Sequence, residues 1–136
     1  MKRILIDTNI VIDLLSNREG FYDDAAFLFS QADRKEIILT ISTLTFANTN
    51  YILSKLKSAK EAREILRKFK VLVKLLNLDD KITELALSDE SFHDFEDGLQ
   101  YYSAIENAVD IIITRNKKDF KNSKLPVLTA KEYLAI

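Results

Sequence analysis

The hydrophobic pattern of the chain alternates between short apolar runs and longer stretches with apolar residues every three to four positions. The runs are rich in β-branched residues and predict buried parallel strands, whereas the longer stretches predict amphipathic helices. The predicted strands are Arg3–Ile6, Glu36–Ser42, Val71–Leu76, Asp110–Thr114 and Val127–Leu128. The predicted helices are Thr8–Ser16, Phe21–Asp33, Leu44–Leu56, Ser58–Lys70, Asp79–Leu87, Asp94–Asn107, Asn116–Phe120 (a turn or short helix) and Ala130–Leu134. This alternation predicts an α/β fold, a three-layer α/β/α sandwich with a central parallel sheet.

Polar side chains stand where three of the predicted strands end. Asp7 follows the first strand, Ser42 closes the second and Thr114 closes the fourth. Right-handed crossovers bring the carboxyl ends of parallel strands to one edge of a sheet, and open α/β sheets bind their ligands at that edge. The pattern therefore predicts one shared site built by side chains from distant parts of the chain.

The first of these residues, Asp7, has a structural and a functional interpretation. An aspartate at a strand-to-helix junction is a good N-cap, which stabilises a helix by ~1 kcal/mol. Three consecutive polar residues, Asp7, Thr8 and Asn9, exceed what one cap needs. The excess favours a functional site in which Thr8 and Asn9 support Asp7.

Two further acidic segments are expected at the same edge of the sheet. Asp94 and Asp97 are spaced so that both carboxylates lie on one helix face, where like charges repel unless a cation screens them. Asn116 and Asp119 belong to the turn after the fourth strand. In the structural alternative for the pair, Asp94 is a helix cap and Asp97 is an acid in the first turn of the helix. In the structural alternative for the turn, Asn116 is a cap and Asp119 is a surface acid. With Asp7, these carboxylates predict a metal site lined by oxygen atoms.

Composition narrows the chemistry of such a site. The chain has no cysteine, one histidine and two glycines, which excludes zinc–sulfur sites, disulfides, the P-loop and the glycine-rich dinucleotide motif. A metal site must then be built mainly from oxygen, which favours Mg²⁺ or Mn²⁺. The histidine, His93, is expected to be a solvated loop residue. Asn48 lies within an otherwise apolar helix, and we expect it either to form a buried hydrogen bond or to belong to the site.

The chain contains two basic patches, although its overall formal net charge is −1. A nucleic-acid partner would have to be bound by such local patches. The patch beside the predicted site comprises Arg115, Lys117, Lys118, Lys121 and Lys124. The other comprises Lys55, Lys57, Lys60, Arg63, Arg67, Lys68, Lys70 and Lys74. For this second patch a solvated face, a helix–helix interface and a surface for an acidic partner protein stay open.

The chain carries no pattern of membrane insertion. No apolar stretch approaches the ~18 residues of a membrane span. The apolar run near the start stops at Asp7, which is too early for a signal peptide. Absence of cysteine suits a reducing compartment, and we therefore expect a cytoplasmic protein.

The chain as a whole resembles a PIN domain, the fold of many metal-dependent ribonucleases, including VapC-type toxins of toxin–antitoxin pairs. The blocks that carry the resemblance are Asp7–Asn9, Ile41–Asn48, Asp94–Gln100 and Ile113–Phe120. The resemblance implies a single domain over residues 1–136 and a Mg²⁺- or Mn²⁺-dependent endoribonuclease. It further implies an RNA substrate, a homodimer and, for a toxin, a protein antitoxin.

The resemblance also assigns roles to individual residues. Metal ligands would be Asp7, Asp97 and Asp94, and the catalytic acids would be these three together with Asp119. Supporting residues would be Thr8, Asn9, Asn48, Thr114 and Asn116. Contacts to the RNA backbone would be Arg115, Lys117 and Lys118.

Two amides depart from the family's pattern and define the alternatives. Asn48 stands where the family usually carries a glutamate, and Asn116 stands where it often carries an acid. Both remove negative charge, so the first alternative is a catalytically weakened PIN domain acting as an RNA-binding or regulatory module. The second is a Mg²⁺-dependent phosphotransferase or phosphoacceptor domain. A phosphotransferase typically has an acid where Asn9 stands. A phosphoacceptor domain needs an aspartate after a central strand, but no acid directly follows the second predicted strand.

Overall fold

The five strands form one parallel sheet. A computed structural model describes residues 1–136. The strands are β1 Arg3–Ile6, β2 Ile38–Ser42, β3 Lys74–Leu76, β4 Ile111–Ile113 and β5 Val127–Leu128. Their order in the sheet is β3-β2-β1-β4-β5, and every neighbouring pair is parallel. The predicted parallel sheet is confirmed.

Seven α-helices connect and cover the strands. They are α1 Thr8–Leu15, α2 Tyr22–Asp33, α3 Thr43–Leu56, α4 Ala59–Phe69, α5 Asp80–Ser88, α6 Phe95–Glu106 and α7 Ala130–Leu134. Short 3-10 helices occupy Lys70–Leu72 and Lys117–Phe120. None of these helices has the length and apolar character needed to cross a membrane.

Both faces of the sheet are buried, as the near-continuous apolar strands require. Successive side chains of a strand point to opposite faces. In β1, Ile4 and Ile6 accordingly pack into one apolar cluster, and Leu5 packs into the other. In β4, Ile113 and Ile112 divide in the same way. The fold is therefore a three-layer α/β/α sandwich, as the hydrophobic pattern predicts.

One predicted strand boundary is wrong by more than two residues. The run Val71–Leu76 was expected to be a strand throughout, but Lys70–Leu72 continues from α4 as a 3-10 helix and the strand begins at Lys74. Val71 is 85% exposed, so its apolar character does not reflect burial in the sheet. No glycine or proline separates helix from strand here, which leaves the hydrophobic pattern without a boundary signal.

The strand order reverses between β1 and β4, and this creates a crevice at the carboxyl edge. From β1 the chain adds β2 and β3 on one side, and it then adds β4 and β5 on the other. The backbone N–H of Asp7 donates to the carbonyl of Ile113 at 3.0 Å, which joins the ends of the two strands. Ligands of open α/β sheets bind at such reversals. Asp7 and Thr114 both lie there.

Candidate functional site

Asp7 caps α1 and is also held by donors from another part of the chain. Its Oδ1 accepts the backbone N–H of Thr8 at 2.7 Å, which is the capping bond. Its Oδ2 accepts the hydroxyl of Thr114 at 2.8 Å and a longer contact from the Asn9 amide at 3.4 Å. The structural and functional interpretations of Asp7 therefore coexist, because capping engages one oxygen while the other faces β4.

The environment of Asp7 disfavours its charged form. Burial raises the pKa of the Asp7 carboxyl, since protein surrounds most of it although some of its surface is exposed. Hydrogen bonds from Thr114 and Thr8 lower this pKa again, and the negative charge of Asp119 raises it. The net direction is upward, so a nearby cation would relieve an electrostatic cost.

Asn9 and Thr114 tie the segment after β4 to Asp7. The Asn9 amide lies 3.4 Å from the hydroxyl oxygen of Thr114, and Asn9 Oδ1 accepts the backbone N–H of Arg115 at 3.3 Å. The Thr114 hydroxyl oxygen in turn accepts the backbone N–H of Asn116 at 3.0 Å. These three predicted supporting residues thus meet at one place through backbone and side-chain hydrogen bonds.

The other three acids surround a polar cavity of about 440 Å³ at the start of α6. It is lined by Ser91, His93, Asp94, Asp97, Lys118, Asp119 and Lys121, none of which is apolar. His93 was expected to be a solvated loop residue, and it is exposed at this rim.

Asp97 carries the clearest electrostatic signature of the site. Burial, followed by the charges of Asp119, Asp94 and Asp7, raises the pKa of its carboxyl to about 7. The raised pKa of Asp97 therefore reflects the expected proximity of the other three acids. Perturbed acids of this kind concentrate at functional sites.

Asp94 is the N-cap of α6, because its Oδ1 accepts the backbone N–H of Glu96 at 2.9 Å. It also lines the acidic cavity, so here too the cap and the site share a residue. Gly98 follows Asp97 inside the helix and is buried against α5 and the loop after it. A Cβ there would lie 3.5 Å from Ala86 and 3.6 Å from Phe92. Its lack of a side chain serves close helix packing.

Gln100 is a site residue that the sequence analysis did not single out. It lies one helical turn after Asp97 and is buried. Its Oε1 accepts the Ser42 hydroxyl at 2.8 Å, and its Nε2 donates to Thr45 Oγ1 at 3.0 Å. The nearby Gln100 side chain also lowers the pKa of Asp7 slightly. A glutamine within an apolar helix face, three positions after an acid, was the signal available in the sequence.

The two amides that depart from the family pattern contribute little to the acidic cavity. Asn48 is half-buried on α3, one turn beyond Thr45, and its side chain makes none of the hydrogen bonds that join the site residues. Asn116 is exposed and precedes the second 3-10 helix without a side-chain capping bond. Neither amide lines the acidic cavity.

The predicted RNA contacts divide into one free lysine and two paired side chains. Lys118 faces the acidic cavity, together with Lys121. Lys117 Nζ lies 3.0 Å from Glu132 Oε1 as an ion pair. The Arg115 guanidinium lies against Asp13, with Nε 2.9 Å from Oδ2. Only one of the three therefore presents its charge to the carboxylates.

The donor set of the site suits a hard cation. Its candidate ligands are carboxylate oxygens, and their mutual repulsion is the cost that Mg²⁺ or Mn²⁺ offsets. No group of three or more histidine, aspartate or glutamate side chains is arranged to hold an ion directly. Mg²⁺ typically keeps several waters and takes one or two protein carboxylates, so the residues present fit such an ion.

Comparison with known proteins assigns the family. Residues 3–118 match the model of the PIN domain family, so the chain belongs to that family. It is similar to Ribonuclease VapC1 of Aquifex aeolicus (strain VF5), with 26% identity over 97% of this chain and 93% of the relative.

Solved structures agree with this assignment. A toxin–antitoxin complex from Klebsiella pneumoniae contains a chain that is 25% identical, with a TM-score of 0.68 over 93% of this chain and 97% of that one. DNA-bound VapBC from Salmonella typhimurium contains one that is 15% identical, with a TM-score of 0.72 over 96% and 99%. The second likeness is one of fold, and it agrees with the α/β/α sandwich described above.

Proposed function

We propose that this protein is a Mg²⁺- or Mn²⁺-dependent endoribonuclease and the toxin of a toxin–antitoxin pair. The observation that carries the proposal is the acidic cavity, in which burial and neighbouring acids raise the pKa of Asp97 to about 7 beside two lysines. Acids that repel one another suit a cation, and lysines beside them suit a phosphate backbone. Similarity to Ribonuclease VapC1 supports RNA as the substrate.

In this proposal Asp7, Asp97 and Asp94 are the metal ligands, some of them through waters that the ion keeps, and Asp119 completes the catalytic acids. A bound ion would polarise the phosphodiester and lower the pKa of a water. Thr8, Asn9 and Thr114 orient Asp7 through the hydrogen bonds described above.

The basic residues would bind the phosphates on either side of the cut. Lys118 and Lys121 line the cavity and are the first candidates. Arg115 and Lys117 would contact RNA less directly, because Asp13 and Glu132 already neutralise them. Hydrolysis in this family's manner would leave a 5′-phosphate and a 3′-hydroxyl.

A cleavage assay tests the proposal. Labelled RNA would be incubated with Mn²⁺ and wild-type protein, Asp7→Asn or Asp97→Asn, with Glu90→Gln as the matched control. Glu90 is exposed and outside the cavity, and it makes no ion pair. We expect cleavage by the wild type and the control and its loss in both aspartate variants. Equal cleavage by all four proteins would refute the assignment of the site.

The alternative function is an RNA-binding or regulatory module without cleavage. The observation that favours it is Asn48, which supplies no carboxylate at a position where the family usually has one. RNA binding by the wild type, measured by fluorescence anisotropy, with no cleavage in Mg²⁺ or Mn²⁺ would support this alternative.

The proposed partners follow from the similar structures, several of which are toxin–antitoxin complexes. We infer a protein antitoxin for this chain and a homodimer. Large apolar residues such as Tyr51 and Leu56, each about 60% exposed on α3, are available for such contacts. Light scattering after size-exclusion chromatography measures the dimer, and co-expression with the product of the neighbouring gene tests the antitoxin.

A further inference from the structure

The second basic patch of the sequence is centred on α4, and its charges are free. All eight of its lysines and arginines are exposed to solvent. None of them belongs to any of the five ion pairs of the protein. The proposed metal site and its neighbouring lysines make no use of these residues, so the patch needs its own explanation.

Four of these cations form one row, which we call the α4 stripe. They are Lys60, Arg63 and Arg67 of α4 and Lys70 of the 3-10 helix that continues it. Residues three or four positions apart lie on the same side of a helix, with Cβ atoms about 5–6 Å apart. At a rise of about 1.5 Å per residue, the stripe is roughly 15 Å long. It therefore presents a continuous line of positive charge to solvent.

The acids of α4 stand beside the stripe and do not interrupt it. Glu61 serves the start of the helix, where its backbone N–H donates to Ser58 Oγ at 3.1 Å and its carboxylate accepts the Ser58 hydroxyl at 3.2 Å. With 3.6 residues per turn, Glu61, Glu64 and Lys68 fall on the other side of the exposed surface of α4. Adjacent like charges along the stripe repel one another, and a helix face that is only solvated usually avoids this by pairing acids with bases. A bound anionic chain would relieve the repulsion.

The composition of this surface favours a nucleic-acid backbone over a protein partner. Ala59 is the only apolar side chain among the exposed residues of α4. The cores of protein interfaces are apolar and aromatic and contain few lysines. A row of cations without apolar neighbours suits instead the phosphates of a nucleic-acid strand, which carries one charge per ~3.4 Å of duplex axis. Since α4 exposes no aromatic ring on which a base would stack, the stripe can bind a backbone without reading its sequence.

The stripe is separated from the acidic cavity by the sheet. The buried residues Leu66 and Phe69 of α4 pack into one apolar cluster, whereas Tyr101 of α6 packs into the cluster on the opposite face. The end of α4 nevertheless lies beside the start of α3, because the ring centroids of Phe69 and Phe46 are 6.1 Å apart. α3 begins where β2 ends, at the same edge of the sheet as Asp7. An RNA that reaches both the cavity and the stripe must therefore be longer than one that only fills the cavity.

We propose that the α4 stripe is a second RNA contact, which binds phosphates of the substrate away from the cut. The planar guanidinium groups of Arg63 and Arg67 donate to phosphate oxygens as forks, and Lys60 and Lys70 add point charges. This inference rests on the proposed ribonuclease function, because it takes RNA as the substrate. It predicts that the protein binds long RNA more tightly than a short oligonucleotide that covers only the cut.

The test measures RNA binding by the full-length protein in EDTA, so it does not depend on cleavage. A labelled RNA hairpin would be titrated at several salt concentrations, with binding followed by fluorescence anisotropy. Arg63→Gln and Arg67→Gln should each lower the slope of the salt dependence by about 0.7–0.9, and together they should weaken binding about tenfold at moderate salt. Lys68→Gln is the matched control, since Lys68 adjoins Arg67 on α4 and is also exposed but lies outside the stripe. We expect this control to change the slope little.

The variants are expected to fold, because they alter exposed side chains and remove repulsion between like charges. Urea denaturation checks that the free energy of unfolding is not lowered. A salt-dependence slope that stays at the wild-type value in the double variant overturns the inference, as does an equal loss of slope in Lys68→Gln. Loss of binding to polyglutamate with RNA binding retained would assign the stripe to an acidic partner protein and also overturn it.

Cleavage kinetics separate this inference from the proposed function. With Mn²⁺, the double variant should raise KM for hairpin RNA without lowering kcat, because the stripe holds the substrate and touches no reacting atom. The wild type should show a lower KM for the hairpin than for a short oligonucleotide, and the double variant should lose most of this difference. A wild-type KM in the double variant would leave the ribonuclease standing while the stripe fails. A reduced slope in a protein that cleaves no RNA would support the stripe and refute the nuclease.

Discussion

Replacing Asp97 with asparagine should stabilise the metal-free protein at neutral and alkaline pH, although the same change should abolish activity. The pKa of Asp97 is about 7 in the folded protein, against an ordinary value of 3.8. The folded protein therefore holds this proton more tightly than the unfolded chain does. Wild-type stability should fall as the pH rises from about 4 to about 7 and should stay lower above that range. The asparagine of the variant has no such proton to lose.

The size of the effect follows from the difference between the two pKa values. A difference of about three pH units corresponds to ~4 kcal/mol if it is expressed in full. The carboxyl lies near solvent, which screens the charges of Asp119, Asp94 and Asp7, so we reduce this figure to ~1–2 kcal/mol. The gain should be present at pH 8 and should nearly vanish at about pH 4.

Urea denaturation with EDTA, at pH values from about 4 to 8, measures this free energy of unfolding. We expect Asp97→Asn to exceed the wild type by the stated amount at pH 8, with Glu90→Gln as the control that shows no such gain. Mn²⁺ should raise the stability of the wild type more than that of Asp97→Asn. If Asp97→Asn is less stable than the wild type at pH 8 without metal, the electrostatic reasoning is refuted.

Three further outcomes are expected. Thr114→Val, which removes the 2.8 Å hydrogen bond to Asp7, should weaken Mn²⁺ binding about tenfold in calorimetry, because a charge-assisted bond contributes ~1.5–3 kcal/mol. Gln100→Leu should lower the free energy of unfolding by ~1–3 kcal/mol, since it leaves buried hydroxyls without a partner. Lys121→Ala should reduce the salt dependence of RNA binding by about one phosphate contact, measured by anisotropy at several salt concentrations.

Two of these outcomes have a matched control variant. Ser103→Ala alters a buried hydroxyl on α6 that has no partner, and it should cost less than Gln100→Leu. Lys124→Ala removes a lysine outside the acidic cavity and should leave the salt dependence unchanged. A Thr114→Val protein that binds Mn²⁺ as tightly as the wild type would contradict the role given to that hydroxyl.

Hydrophobic pattern and chain topology were sufficient to predict where the acids gather. Parallel strands with helical crossovers leave only one edge for their carboxyl ends, so Asp7 and the residue after β4, Thr114, had to meet once the strands were recognised. Asp97 and Asp94 followed from helical spacing, because a cap and a residue three positions later share a face. These inferences need the direction of the backbone and no side-chain detail.

The sequence did not predict the contacts between side chains that lie far apart in the chain. In the sequence Arg115 is one more basic residue of a patch, but its charge is taken up by Asp13, which is buried on α1. Gln100 is only a polar interruption of a helix in the sequence, but it joins α6 to Ser42 and Thr45. Such pairings depend on packing between elements that are far apart in the chain, so the spacing of residues along the sequence does not indicate them.

The central position of β1 in the sheet has a consequence for the timing of synthesis. β1 is the first strand made, yet one of its two neighbours is β4, with Ile4 beside Ile111. Asp7 therefore leaves the ribosome 107 residues before Thr114, the residue that donates its hydrogen bond. Long-range pairing of this kind also forms late in folding, because a large loop must close first. A chain that stops before β4 thus carries the first acid of the site without Thr114, the hydroxyl that binds it.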